Sequence, residues 1–313
     1  MKLMQAAALT CVGAVAIHAQ DAREVERHIA AAKLAAGSTW AKAAEYFCAE
    51  SSMPNRPTDP AIAPTRLFDN LSVVGSVGTA IFVLETSEGL ILIDGGYPGE
   101  ADTVLIPGLK ALGLDPAKVR YMLVAHGHSD HFGAARQFQD VFGTKVFLTA
   151  ADWDLVEAPQ PGARGPLAAA PKRDHIIQDR QLITLGDTQV TPVAVPGHTP
   201  GAVALLFTVR DRGQNYTAGL FGGTVLSAAF VSTEGLEQYI QSVPRWAKVA
   251  AENHVTVEIQ NHPLMDGFAD KLQRLKTRGA GEAHPFVVGE RAYAAFMDVI
   301  GECAQAQLER RKK

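Results

Sequence analysis

The chain is poor in cysteine, with three in 313 residues, and one of these, Cys11, lies in an apolar leader. The other two, Cys48 and Cys303, allow a single intramolecular pairing. Neither stands near a histidine cluster, which argues against a zinc–thiolate centre. An excess of charge is also missing: 29 basic against 33 acidic residues give a formal net charge of −4, so no nucleic-acid or anionic-membrane footprint is expected. No Gly-x-Ser-x-Gly elbow appears, and no sequence repeat of 20–50 residues is visible. Membrane-spanning apolar runs are absent as well. The stretch from Leu3 to Ile17 is too short to cross a bilayer. With Lys2 before it and Ala16 or Ala19 at the cut, it reads as a cleaved secretory signal over 1–19. Ala8-Leu9-Thr10-Cys11 is a poor lipidation box inside the apolar region, so a periplasmic or secreted protein without a membrane anchor is expected. In an oxidising compartment Cys48 and Cys303 are expected to pair, stapling the N-terminal segment to the C-terminal helix.

What is present is 47% hydrophobic sequence, enough for a substantial core. Residues 21–50 are Ala-rich with charges at helical spacing and predict a helix. Met53 to Pro64 holds four prolines and reads as an extended arm, so residues 20–64 precede a catalytic domain over 65–313. From there β-branched and apolar runs alternate with glycine turns: Leu71–Val74, Thr79–Leu84 and Leu90–Ile93. A helix is expected near Glu100–Leu112, a strand over Arg120–Ala125, and a helix from about Asp130 to Phe142 capped by Ser129. Further strands are expected at 145–148, 181–185, 190–195, 202–209, 217–221 and 255–259. A last helix runs from about Glu290 to Arg311, its basic end Arg310-Arg311-Lys312-Lys313 reading as solvated. Strands followed by helices, twice over, suit an α/β protein with two packed sheets and helices outside, an αβ/βα four-layer sandwich.

Chemistry concentrates in His126-Gly-His128-Ser-Asp130-His131, where a buried strand turns into a helix. His126 and His128 are two apart, so in extended backbone both imidazoles reach one side. Asp130 and His131 open the helix and can face a neighbouring point. Imidazole and carboxylate are good zinc ligands at roughly 2.0–2.2 Å. His198, in Pro196-Gly-His-Thr-Pro-Gly201, and His262, in Asn261-His-Pro263, both follow strands, where ligands gather in layered α/β folds. The other histidines are weaker candidates. His175 falls in a charged loop, His254 precedes its strand, His28 and His284 read as surface residues, and His18 lies in the signal.

These motifs, with Leu92-Ile-Asp94-Gly-Gly and Leu220-Phe-Gly-Gly-Thr224, resemble those of the metallo-β-lactamase superfamily over about Arg66 to Val288. The resemblance implies two Zn²⁺ ions per chain. His126, His128 and His198 would hold the first, and Asp130, His131 and His262 the second. Asp94 would steady the ligand loop by hydrogen bonds. Glyoxalase II-like members carry a bridging Gly-Asp where this chain has Gly222-Gly223. Class B1 and B2 β-lactamases carry a cysteine where Thr224 stands. Flavodiiron-type members have a glutamate at the position of His128. The pattern that remains is similar to subclass B3 metallo-β-lactamases. Thr224 and Ser227 are candidates to contact a substrate carboxylate, although they depart from the B3 serine pair.

The implied reaction is hydrolysis of a small molecule. A water shared by two zinc ions has its pKa lowered toward roughly 7, which supplies hydroxide at neutral pH. Asp130 would orient it as the catalytic residue. Opening of a β-lactam amide is the leading expectation. A lactonase or other ester or thioester hydrolase on the same metals stays open, as does a secreted zinc-binding protein without catalysis.

Overall fold

Strands β3 (Ala80–Thr86) and β4 (Gly89–Ile93) are apolar at almost every position because both of their faces are covered. Phe82, Leu84, Ile91 and Ile93 point into one apolar cluster, while Ile81, Val83, Leu90 and Leu92 point into another. The side-chain alternation of a strand makes this division, and a continuous apolar run is its signature. The computed structural model describes residues 22–49, 59–158 and 169–312. The expected signal over 1–19 and the first half of the proline-rich arm, residues 53–58, lie outside them.

Seven strands form the first sheet in chain order: β1 (Thr65–Phe68), β2 (Leu71–Gly75), β3, β4, β5 (Val119–Leu123), β6 (Lys145–Thr149) and β7 (His175–Ile177). Neighbours are antiparallel up to β4 and parallel from β4 to β7. The second sheet holds β8 (Ile183–Leu185), β9 (Thr188–Ala194), β10 (Val203–Asp211), β11 (Gln214–Leu220) and β12 (Val255–Ile259). Only its β11–β12 pair is parallel. The inner faces meet in one core, where Phe82, Ile93 and Leu123 of the first sheet join Val203, Leu205, Phe207 and Ile259 of the second. Helices cover both outer faces, giving the αβ/βα sandwich.

Five local expectations need correction. The N-terminal helix is two, residues 22–36 (α1) and Ala41–Phe47 (α2). Gly37 at φ +51° ends the first, and Trp40 turns inward to donate Nε1–H to the Ala292 carbonyl. The helix expected over 130–142 is also two, with α3 (Ile106–Ala111) before it in the chain: α4 (Ser129–Phe132) and α5 (Ala135–Phe142). Gly133 and Ala134 donate their amides across to Gly96 and Gly95 instead of back along a helix. Ser129 lies inside α4, with His128 at the cap position and no side-chain cap. His175 opens β7 rather than lying in a loop. The end of the arm is docked, since Ile62 is buried and donates its amide to the Gly75 carbonyl.

Two surface readings also fail. His28 is buried against Glu302 at 2.6 Å, and His284 is buried, stacked on Phe68 at 3.9 Å and bonded to the Leu67 carbonyl. Nor is the basic end of the last helix, α9 (Glu290–Arg311), simply solvated. After α6 (Ala150–Glu157), α7 (Thr233–Glu252) and α8 (Phe268–Lys276), α9 closes the outer layer of the second sheet. Arg310 donates to the Cys48 carbonyl. Arg311 donates to the carbonyls of Val231 and Leu226, 2.8 and 3.2 Å away.

Cys48 and Cys303 are disulfide-bonded across a sequence separation of 255. The bond ties the end of α2 to the middle of α9, as expected from composition. Among the described residues no helix is long and apolar enough to cross a membrane. A bond that closes so long a loop removes much denatured-state entropy. The Cys48→Ser/Cys303→Ser double variant is therefore expected to lose about 2–5 kcal/mol. Urea unfolding checks this, and an unchanged midpoint would show that packing alone holds the helices.

Candidate metal centre

All the candidate residues sit at one edge of the sandwich, in the turns where strands end. Asp94 follows β4, His126 follows β5, His198 lies between β9 and β10, Gly222-Gly223 follows β11, and His262 follows β12. At such ends backbone polar groups leave the ladder and short loops can hold side chains at fixed points.

Two triads of ring nitrogens converge. His126, His128 and His198 offer donor atoms within 4.8 Å of one another, and so do His126, His131 and His262. His126 is thus common to both. Its ring is 3.9 Å from that of His131 and 4.5 Å from that of His198, centre to centre. His198 donates Nδ1–H to the Val225 carbonyl and His262 donates Nδ1–H to the Gly78 carbonyl, which places the lone pair of each ring on Nε2. Those two nitrogens lie 3.0 Å from His128 Nδ1 and 3.2 Å from His131 Nε2. Both ring nitrogens of His126 are buried and have no hydrogen-bond partner among the described residues. Buried polar atoms nearly always find one. The donor set therefore fits divalent cations that favour imidazole, zinc among them.

Asp130 stands beside the second triad, its Oδ2 3.4 Å from His131 Nε2 and 3.4 Å from Thr79 Oγ1, which donates to it. Asp94 is fully buried at φ +66°. Its Oδ1 accepts from the Ala125 amide at 2.8 Å, and its Oδ2 accepts from His131 Nδ1 at 2.8 Å and from Asn261 Nδ2 at 3.2 Å. One carboxylate thus joins the strand end before His126, the His131 ring and the residue preceding His262.

Electrostatics divide the histidines. Burial, followed by the neighbouring imidazoles, holds His126 and His198 well below the usual histidine range. Burial lowers His128 too, and burial with His131 lowers His262 to about 4. For His131 burial acts in the same direction, but the Asp130 and Asp94 carboxylates outweigh it and push the ring up to about 10. Burial by itself would raise Asp130. The adjacent His131 overcomes this and holds the carboxyl below the usual range. The four lowered imidazoles and the ionised carboxylate are in the protonation states that metal ligands need, whereas His131 would have to release its Nε2 proton to a cation.

The two substrate-contact candidates part company. Thr224 is fully buried and donates its hydroxyl to Met265 Sδ at 3.1 Å. Ser227 remains half-exposed in the loop after it. In that loop Phe230, 41% exposed, lies 6.3 Å from the His128 ring. Arg311 grips the same loop at Leu226 and Val231. Gly222 and Gly223 leave no room for a carboxylate at this turn. A Cβ on Gly222 would lie 2.2 Å from the Val203 carbonyl oxygen, and one on Gly223, at φ +74°, 2.6 Å from His198 Cβ.

Sequence motifs did not point to Thr79, Phe230, Asp152 or Arg311. Thr79 and Phe230 carry no pattern of their own. Asp152 follows Thr149 as the acidic third residue of a helix start, a signal that by itself says only "capped helix".

The family model for the metallo-beta-lactamase superfamily matches residues 74–211. The chain resembles the crystal structure of BJP-1, a subclass B3 metallo-beta-lactamase of Bradyrhizobium japonicum. The TM-score is 0.66 at 27% identity, over 76% of this chain and 90% of that one. It is 25% identical over 212 residues to a Bacillus subtilis protein named "Probable metallo-hydrolase YqgX", covering 63% of this chain and 96% of the other. It is 25% identical over 228 residues to the acyl-coenzyme A thioesterase MBLAC2 of Gallus gallus, covering 65% and 78%. Residues 74–211 carry a metallo-beta-lactamase superfamily domain that spans the strand ends of His126 and His198, and the likeness in sequence and structure supports a hydrolase of that kind.

Proposed function

We propose that this chain is an exported hydrolase with two zinc ions that opens the amide of a β-lactam ring in the manner of subclass B3 enzymes. The observation that carries this reading is the ligand set: two converging histidine triads, Asp130 beside the second, and a Gly222-Gly223 turn too tight for a bridging carboxylate. His126, His128 and His198 are assigned to the first ion, and Asp130, His131 and His262 to the second. His126 is near enough to the second group to touch both. When bound, such ions lower the pKa of a water and polarise a carbonyl.

The chain's own groups do the rest. Asp130, held by Thr79, accepts a hydrogen bond from the attacking water and takes its proton. Asp94 fixes the His131 tautomer by accepting its Nδ1–H. Phe230 offers an apolar face beside His128, and Ser227 a hydroxyl for a polar substituent. Thr224, being enclosed, is given a structural role. The export reading rests on the leader over 1–19 and on a disulfide, which persists in oxidising compartments. We assign 20–64 to an N-terminal helical segment and arm, and 65–313 to the catalytic domain.

A second reading, hydrolysis of a thioester or other ester on the same residues, is favoured by the likeness to the thioesterase MBLAC2. One panel of β-lactams, lactones and acyl thioesters separates the two, run on protein whose zinc content is measured. The expected outcome is two zinc per chain and turnover highest on a β-lactam. A reproducible zinc content near one, unchanged by added zinc, would overturn the two-ion assignment. Turnover confined to thioesters would replace the substrate but not the site.

A further inference from the structure

We infer that Asp152 is a positioning residue that locks the first histidine triad in its ligating geometry by bracing the two loops that carry it. The inference rests on reading that triad as a metal site.

Asp152 sits in the first turn of α6, where an acidic side chain ordinarily serves the helix dipole. Its carboxylate is instead used elsewhere. Oδ2 accepts from the Gly127 amide at 2.7 Å and from Thr199 Oγ1 at 2.7 Å, and Oδ1 accepts from the Gly201 amide at 2.8 Å. Gly127 lies between His126 and His128, and Thr199 and Gly201 follow His198. One fully buried carboxylate therefore spans the only two loops that supply this triad.

The helix start adds a second brace. Thr149 donates its hydroxyl to the Gly201 carbonyl at 2.9 Å while capping the Asp152 amide at 3.3 Å. The loop is pressed close enough that a Cβ on Gly201 would lie 1.9 Å from Thr149 Oγ1. The Gly127 amide and the Gly201 amide are backbone donors that could otherwise be satisfied only by moving their loops. The second triad has its own brace in Asp94, which does not touch the His198 loop. His126, common to both triads, stands between Asp94 on its Ala125 side and Asp152 on its Gly127 side. Only Asp152 reaches the His198 loop and only Asp94 reaches His131 and Asn261, so the two braces differ in which triad they support more.

An amide at 152 can keep one acceptor but sets a donor against either the Gly127 amide or the Gly201 amide. Loss of a hydrogen-bonded support of this kind typically costs 10–100-fold in metal affinity. The test is a zinc titration against a chromophoric chelator in two backgrounds. His262→Ala leaves the first triad intact, and His198→Ala leaves His126, His131, His262 and Asp130. Asp152→Asn is expected to weaken zinc binding about 10–100-fold in the His262→Ala background and distinctly less in the His198→Ala background, where only the brace beside His126 still bears on a ligand. Equal losses in both would reduce Asp152 to a general structural role and overturn the inference, as would no loss in either. If the protein without these changes binds no zinc, the metal reading fails first and this inference with it. Should Asp152→Asn not fold, Thr199→Val removes one of the three bonds. It is expected to give a smaller loss with the same dependence on background, and no loss would count against the assignment.

Discussion

Asp130→Asn is expected to lower turnover by about 10²–10⁴-fold, the usual cost of removing a group that takes a proton in the transition state. The change is nearly isosteric, so packing does not account for such a loss. The neutral amide binds a cation weakly and cannot accept the proton of an attacking water. It also removes a charge that His131 Nε2 faces at 3.4 Å. Folding should change little, because the side chain lies in a polar turn and is 23% exposed. His254→Ala is the control. That side chain is 78% exposed and its Nδ1 lies 3.2 Å from Glu290 Oε1, so turnover should stay near its starting value. The comparison requires the best substrate of the panel and zinc content for each variant. Near-normal turnover in Asp130→Asn with both ions retained would remove Asp130 from the centre of the reaction.

The largest stability effect is expected far from any metal ligand. Lys271, on α8, is buried with its Nζ 2.5 Å from Glu258 on β12 and 2.7 Å from Asp266 in the loop after His262. Trp40 and Phe286 lie against the ammonium at 5.2 and 5.4 Å. Lys271→Met keeps the aliphatic stem but leaves two enclosed carboxyls without a counter-charge, which typically costs about 3–5 kcal/mol. The pH dependence has a definite sign. Burial pushes Glu258 up to about 8, with Lys271 only partly offsetting it. A carboxyl whose folded pKa exceeds its unfolded value binds more protons when folded, so its folded state loses stability as pH rises between the two. Without Lys271 that loss must grow. The deficit of Lys271→Met, read from urea midpoints at pH 5.5 and pH 8, should therefore be larger at pH 8. An equal or smaller deficit at pH 8 would mean that the carboxyls are satisfied by other groups.

The parts of the site that could be read from residue order were those where chemistry and spacing coincide. Three histidines and an aspartate within six positions have few uses other than ligation. His198 and His262 each follow an apolar run into a proline-bearing turn. The supports of the site carry no such mark. Asp152 is recognisable only once β6 and the His198 loop are adjacent, and Thr79 only once β3 lies over Asp130. Lys271, Glu258 and Asp266 look in sequence like ordinary surface charges, because pairing of buried ions is a property of three dimensions.

The misread histidines show the same limit. His28 and His284 are isolated polar residues in mixed surroundings, and packing alone put them inside. The break between α4 and α5 was hidden for another reason. Periodicity reports which face is apolar, not where an amide sends its hydrogen bond, and here Gly133 and Ala134 send theirs to the Gly95-Gly96 turn.

The Cys48–Cys303 bond turns most of the polypeptide into a ring. A single protease cut anywhere between these residues yields no separate fragments while the bond persists, only one covalent molecule with a new pair of ends. The two pieces remain at the high local concentration that a tether imposes, so after denaturation they can find each other in a reaction that does not depend on protein concentration. A nicked sample would run as intact on a non-reducing gel and divide only after thiol treatment. Its recovered activity would be blind to dilution until that treatment is applied.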